Sequence, residues 1–440
     1  MRISTIKCVR PCTSSNVTTQ HPTVTDTRPT KKIISLSQQN YLKCGFLDSI
    51  DGSKNLALME PAKVGKRWRE YQGIKNWEGL LDPLDENLRR EIIRYGTFVE
   101  ATYQSCNLDV SSPFYGTCRY PKRDLLNESG FRETGYRVCR NLTANSGIRL
   151  PRWIPSWMAL QSSWIGYVAV CQNKKEIARL GRRDVVIALR GTVTCLEWLE
   201  NLRATLTPLS NNTHHGSDSD GYPDPDSEVP MVESGFLSLY TSTFENRPSL
   251  QTLLKQEISR ILEKYGNEPL SFTITGHSLG AALATVAAYD IKKTFENSAL
   301  VTVISFAGPR VGNWSFRCEL EKQGTKILRI VNSDDLITKV PGFVIENNEQ
   351  SQFSDNIQVN NAAAGLGGWV QKLVEGQWVY ADVGCELRLS SRDSPYLSGI
   401  NIATCHDLKT YLHLVDGFVG SNCPFRATAR KLINKNLGTG

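Results

Sequence analysis

The sequence predicts an α/β protein built on a mostly parallel sheet. Between residues 164 and 333, near-continuous runs of apolar and β-branched residues alternate with helical patterns, as expected of parallel strands covered by helices on both faces. A chain of 440 residues is long enough to bury such a core. A third observation locates chemistry on that frame: in "TITGHSLGAALATVA", residues 273–287, a serine sits between two glycines where an apolar strand passes into an alanine-rich helix.

Taken in order, the elements begin with a helix through "GLLDPLDENLRREIIRYGTFVEATYQS". Asp82 and Pro83 read as its start, and Leu88, Ile92, Tyr95 and Val99 recur at three- and four-residue spacing. "WIGYVAVC" and "DVVIALRG" read as strands, and "SLQTLLKQEISRILEKYG" as an amphipathic helix. "LSFTITG" is a buried strand that runs into the helix "LGAALATVAAYDIKKTF". A strand "LVTVISFAG", a helix near "GNWSFRCELEKQ" and a strand "TKILRIVNS" follow. Residues 208–230 are polar, rich in Gly, Pro and Asp, and too long for an ordinary connection.

Composition narrows the function. No stretch approaches the roughly 18 consecutive apolar residues of a membrane-spanning helix, so any membrane contact is expected to be peripheral. The net charge of +7 is mostly in residues 1–40, where six basic side chains face one acid; that leaves about +2 for the remainder and no basic patch for nucleic acid. The same leader is Ser/Thr-rich and has no apolar h-region, which is transit-peptide composition. Residues 1–55 are therefore expected to be a transit peptide or disordered leader and residues 60–440 the folded domain. The 12 cysteines are scattered, with no CxxC pair and no Cys/His cluster at zinc spacing. Most of them read as small buried hydrophobes, and neither a metal nor a cofactor is expected.

The serine has a mechanical reading. In G-x-S-x-G between strand and helix, glycines relieve a crowded, strained turn that lifts the hydroxyl of Ser278 above the sheet. The helix N-terminus behind it suits an oxyanion, with the Leu279 N–H as donor. A nucleophile needs a base, and there are six histidines. His21 lies in the leader, His214 and His215 in the polar segment, and His277 beside the serine but directed elsewhere. Of the remaining two, His413 falls among Leu408, Leu412 and Val415 as a packed residue. His406, where a loop meets that helix, is the better-placed base. Asp334 and Asp335, just past the strand "ILRIVN", both qualify by position as the orienting carboxylate.

With these residues in place the chain resembles the class 3 lipases over residues 68–425. The resemblance is carried by "IALRGTVTCLEWLENL", by "VESGF" at residues 232–236, by "GHSLGAALA" and by "VNSDDLITKVP". It implies an α/β-hydrolase-like sheet with flanking helices and a lid. It selects Asp335 over Asp334, agrees with His406 as base and makes Thr192 the second oxyanion donor beside Leu279. "GKRWREYQG", "NWEGLLDPLDENLRREIIRYGTFVEATY" and "SSRDSPYLSGINIATCHDLKTYLHLVDGF" are similar to the plastid-targeted plant phospholipase A1 group. That implies hydrolysis of the sn-1 ester of membrane glycerophospholipids, with galactolipids as further substrates, and release of fatty acids such as linolenic acid for jasmonate synthesis. A triacylglycerol lipase, a serine peptidase and a catalytically inactive scaffold are the competing readings. Leu196, Leu199, Leu202 and Leu206, interleaved with Glu197, Glu200 and Arg203 and joined by Trp198, read as an amphipathic lid helix. The lid and flexible insertion are expected over about residues 193–231.

A fluorescent protein fused behind residues 1–60 is expected to enter plastids, because the segment is basic, hydroxylated and poor in acids. Cytosolic or secreted fluorescence would contradict the leader reading.

Overall fold

The computed structural model describes residues 64–109, 111–145, 162–192, 205–209, 229–244, 246–295, 299–341, 380–397, 401–417 and 419. The chain divides into two units, Met1–Met59 and Glu60–Gly440, and every described residue belongs to the second. The leader, the lid residues Leu196, Leu199 and Leu202, and most of the polar insertion lie outside the described residues.

Seven strands form one sheet: β1 (Tyr136–Asn145), β2 (Ser162–Cys171), β3 (Arg183–Leu189), β6 (Leu270–His277), β7 (Leu300–Phe306), β8 (Lys326–Asn332) and β9 (Cys385–Leu389), in that spatial order. β1, β2 and β3 pair antiparallel, and from β3 to β9 every pairing is parallel. A separate two-stranded ribbon joins β4 (Leu206–Pro208) to β5 (Met231–Glu233). Leu206, expected at the end of the lid helix, is thus a strand residue opposite Glu233. Pairing with β5 gives its backbone partners that a helix ending there would lack.

Each face of the sheet has its own helical layer. Val185, Ile187 and Leu189 of β3 and Phe272 and Ile274 of β6 belong to one buried cluster with Phe236, Leu254 and Ile258. Those three come from helices α2 (Ser234–Thr241) and α3 (Leu250–Tyr265). The same cluster takes in Leu283 and Ala287 of α4 (Leu279–Thr294), and Phe316 of α5 (Trp314–Lys322). The alternate residues of the strands face α1 (Glu86–Ser105) and α7 (Leu408–Gly417), because side chains along a strand point to opposite faces. Leu88, Ile92, Tyr95 and Val99 of α1 are all buried, as their spacing required. The helix starts later than Asp82, however: Asp85 is the N-cap and accepts from the Asn87 and Leu88 N–H groups. A cap is set by which carboxylate reaches the free N–H groups of the first turn, and Asp82 and Asp85 are equally good candidates on composition.

A polar cluster inside the α1 face fixes this helix on the sheet. Asp184 of β3 accepts from Tyr95, Tyr136 and Ser271 hydroxyls and pairs with Arg94 and Arg182. Burial raises the Asp184 carboxyl, but the two guanidiniums outweigh it and hold the group below the usual carboxylate range. The consequence for function is at the other end of the helix, where Tyr103 reaches the carboxyl ends of the strands.

Candidate active site

The site residues sit just beyond the carboxyl ends of β3, β6 and β8 and in the segment after β9, where open α/β sheets place their ligands. Gly276 and Gly280 allow the turn between β6 and α4 to close. A Cβ on Gly276 would lie 2.4 Å from the Gly280 carbonyl, and one on Gly280 would lie 2.4 Å from the Leu189 carbonyl of β3. Neither position has room for a side chain, so helix and strands meet backbone to backbone. Ser278 between them is held at φ 55° and ψ −124°, a strained conformation for a residue with a Cβ. Its N–H donates to the Phe306 carbonyl at 3.0 Å. No side chain caps α4, which leaves the Leu279 N–H in the free first turn of a helix whose dipole favours negative charge.

His406 is the last residue of the short helix α6 (Ile402–His406), separated from α7 by Asp407. Its Nδ1 lies 2.8 Å from Asp335 Oδ2. A carboxylate only accepts, so Nδ1 carries the proton and Nε2 presents a lone pair. Asp335 is fully buried, and it also accepts from the Tyr411 hydroxyl at 2.7 Å and the Ile337 N–H at 2.9 Å. Asp334 turns the other way, accepting from Ser390 and the Ser391 N–H and pairing with Arg392. His413 meets Ser394 at 2.9 Å on the far side of α7, where burial pushes its imidazole down. Asp407 caps α7 by accepting from the Lys409 and Thr410 N–H groups.

Among the described residues, the buried polar side-chain atoms without a hydrogen bond include Ser278 Oγ, His406 Nε2 and Thr192 Oγ1. A buried polar atom left unpaired costs about 1–3 kcal/mol, so these call for an explanation. They are a hydroxyl, a basic nitrogen and a second hydroxyl, the groups an acyl transfer needs as nucleophile, base and oxyanion donor.

The match to known proteins follows the geometry. The family described as lipase (class 3) matches residues 186–345. The Arabidopsis thaliana protein named phospholipase A(1) DAD1, chloroplastic, is 59% identical over 98% of this chain and 92% of its own length. This chain belongs to the class 3 lipases. Two more Arabidopsis thaliana relatives are phospholipase A1-Igamma1, chloroplastic, 39% identical over 85% of this chain and 73% of its own, and galactolipase DONGLE, chloroplastic, 41% identical over 80% and 70%. Among solved structures, the nonglycosylated Yarrowia lipolytica LIP2 lipase covers 59% of this chain and 76% of its own at 20% identity and a TM-score of 0.38, a likeness too loose to argue from. The protein is accordingly a carboxylic ester hydrolase acting on lipids.

The lipase holds its site with residues that the sequence reading passed over. Tyr411 reads as part of the apolar stripe of α7, yet its hydroxyl bonds Asp335 and accepts the Asn332 N–H. Asn332, at the end of β8, donates to Ser391 and to the Cys405 carbonyl, tying that strand to the residue before His406. An asparagine closing the apolar run "ILRIV" was the one visible signal. His277 is directed away from Ser278, as expected, but not idly. Its Nε2 donates to the His406 carbonyl at 2.7 Å, so its Nδ1 accepts from the Tyr103 hydroxyl at 2.7 Å, and that oxygen accepts the Gly191 N–H at 2.8 Å. The chain of bonds runs from the residue before Thr192 to the backbone of His406. Gly191 must be glycine for it, since a Cβ there would meet the Tyr103 hydroxyl at 2.8 Å and Ser278 Cβ at 2.9 Å.

Burial first, and the neighbouring His406 second, push His277 down from 6.5 to about 3. A group with a depressed folded pKa contributes stability that is present above its unfolded value and is lost as pH falls towards the folded one. Unfolding free energy is therefore expected to drop by a few kcal/mol as pH falls from about 6.5 towards 3, and His277→Gln should flatten that slope. Denaturant titrations of both proteins across this range test it; equal slopes would show that His277 is not held neutral.

Proposed function

We propose that this lipase is a plastid phospholipase A1 in which Ser278, His406 and Asp335 form the catalytic triad. The 59% identity with phospholipase A(1) DAD1 over 98% of this chain is the observation that carries the substrate class. The unpaired Ser278 Oγ, His406 Nε2 and Thr192 Oγ1 support the assignment of roles.

Ser278 Oγ attacks the sn-1 carbonyl carbon while His406 Nε2 takes its proton. Asp335 keeps the proton of His406 on Nδ1, orients the ring and stabilises the imidazolium that forms. The carbonyl oxygen, now an anion, is held by the Leu279 N–H and Thr192, and the positive end of α4 lies behind it. Collapse expels the lysophospholipid alkoxide, which recovers the proton from His406. Water, deprotonated by the same nitrogen, then releases the fatty acid and restores Ser278. None of these steps needs a metal or an organic cofactor.

The substrate lies in a membrane, so the contact is peripheral and interfacial; no described helix is long and apolar enough to cross one. Chloroplastic relatives and the acid-poor leader support work in the plastid, and residues 1–55 are read as the transit peptide. The likeness to galactolipase DONGLE favours a second substrate with the same diacylglycerol ester and a sugar headgroup.

Purified protein lacking the leader, given position-labelled phosphatidylcholine and monogalactosyldiacylglycerol side by side, should release label from sn-1 in preference to sn-2. Ser278→Ala should lower the rate by roughly 10⁴- to 10⁶-fold with the fold retained. Asp335→Asn should be similarly damaging and Asp334→Asn far less so. Residual activity above a few per cent in Ser278→Ala would sink the triad, and sn-2 release would sink the positional assignment.

A further inference from the structure

After the end of α1 the chain returns beside it, and an antiparallel bridge between Cys106 and Cys118 joins the two arms of the connection. The Arg119 N–H donates to the Ser105 carbonyl at 2.8 Å, and the Asn107 N–H donates to the Thr117 carbonyl at 2.9 Å. Hydrogen bonds therefore flank the two cysteines, which make the non-hydrogen-bonded kind of pair. In such pairs the Cα atoms lie about 4.5 Å apart with both side chains on one face. A disulfide spans Cα separations of about 4.4–6.8 Å. Both residues are free thiols, Cys106 buried and Cys118 half-buried.

Both arms of this connection lead to one residue of the active site, Gly191. On one side the Cys106 N–H donates to the Tyr103 carbonyl, and the Tyr103 hydroxyl accepts the Gly191 N–H. On the other side the Gly116 carbonyl accepts the Trp164 N–H at 2.8 Å. The Trp164 carbonyl in turn accepts from Arg190 Nε at 3.0 Å, and Arg190 Nη1 donates to the Gly191 carbonyl at 2.8 Å. Gly191, directly before Thr192, is gripped at its N–H through the arm that starts at Cys106 and at its C=O through the arm that ends at Cys118.

We propose that Cys106 and Cys118 are a reversible disulfide site, and that closing it braces Gly191 and Thr192 and raises the turnover of the lipase. The oxidant is itself a disulfide, either glutathione disulfide or that of a dithiol–disulfide exchange protein. One cysteine sulfur attacks it to give a mixed disulfide and release one thiol. The second cysteine then displaces the other thiol and forms the Cys106–Cys118 bond. Two cysteine thiols are oxidised by two electrons, the oxidant is reduced to two thiols, and the two cysteine protons end on those thiols. A dithiol reductant runs the sequence backwards. Burial pushes both thiols up, so the exchange is slow at neutral pH and starts at the more accessible Cys118. An oxyanion donor works only while it is held near its bonding distance, which is why a covalent brace behind Thr192 is felt in kcat.

The turnover part rests on the hydrolase reading; the bond itself does not. Full-length protein equilibrated in oxidised or reduced glutathione, differentially alkylated and mapped without reduction, should yield a cross-linked peptide joining Cys106 to Cys118 only in the oxidised sample. Dithiothreitol should abolish that peptide. The oxidised protein should melt a few degrees higher and turn over a soluble short-chain ester roughly two- to fivefold faster than the reduced protein. The double variant Cys106→Ser, Cys118→Ser should lose both redox responses and behave as the reduced protein does. No cross-link in folded protein, or a cross-link that changes neither melting nor turnover, would overturn the proposal. If neither redox form hydrolysed any ester, the hydrolase reading would fail, while the cross-link and the melting shift would still decide the disulfide.

Discussion

The arrangement of this site depends on a steric constraint: α4 must start against β3 and β6 with no side chain between them. Gly276 meets the Gly280 carbonyl, and Gly280 meets the Leu189 carbonyl, at separations where a Cβ cannot exist. Contact that close puts the free N–H groups of the first turn of α4 beside the carboxyl end of β3, where Thr192 follows. It also forces Ser278 to a positive φ, at a cost of about 1–3 kcal/mol that only a well-packed surround can offset. Here the surround is the apolar layer of α2, α3, α4 and α5, almost all of it buried.

Around that turn the polar groups divide into two sets, and the division is what makes the arrangement chemical. Asp335, Asn332, Tyr411, Tyr103 and His277 are bonded within the protein, and each supports a neighbour: Asp335 the His406 ring, His277 the His406 carbonyl, Tyr103 the Gly191 amide. Ser278 Oγ, His406 Nε2 and Thr192 Oγ1 are left unpaired. Rotamers fixed by satisfied bonds hold the unsatisfied atoms in place, which is the preorganisation the proposed reaction calls for, because little reorganisation is then needed when charge develops. The same logic separates Asp335 from Asp334. Both are carboxylates after one strand, but only the first points its lone pairs at a histidine, while the second is occupied by Ser390, Ser391 and Arg392.

Much of this was legible in the residues themselves. Period-two and period-three-to-four hydrophobic patterns are local properties, so α1, β2, β3, α3, β6, α4, β7, α5 and β8 stood where alternation and amphipathicity put them. The G-x-S-x-G turn is also local: two glycines, a strand before and a helix after suffice to raise the serine. His406 emerged by elimination because histidines are few and each has a distinct neighbourhood. What the sequence by itself determined, then, was the α/β class and the candidates for nucleophile and base, with a choice of two acids. The tertiary structure alone decided the rest. Of the edge strands, β1 has its alternation interrupted by Arg140, and β9 alternates over only five residues, too short a run to stand out. Leu206 completes a leucine spacing that suits a helix, yet it is held in a strand by a partner 27 positions away, Glu233. Tyr411, Asn332, His277 and Tyr103 look like core or cap residues in sequence, and become supports of the site because β6, β8, α1 and α7 end at one place. A hydrogen bond across 71 residues, from His406 to Asp335, is a property of where two backbones meet, and no local pattern encodes that.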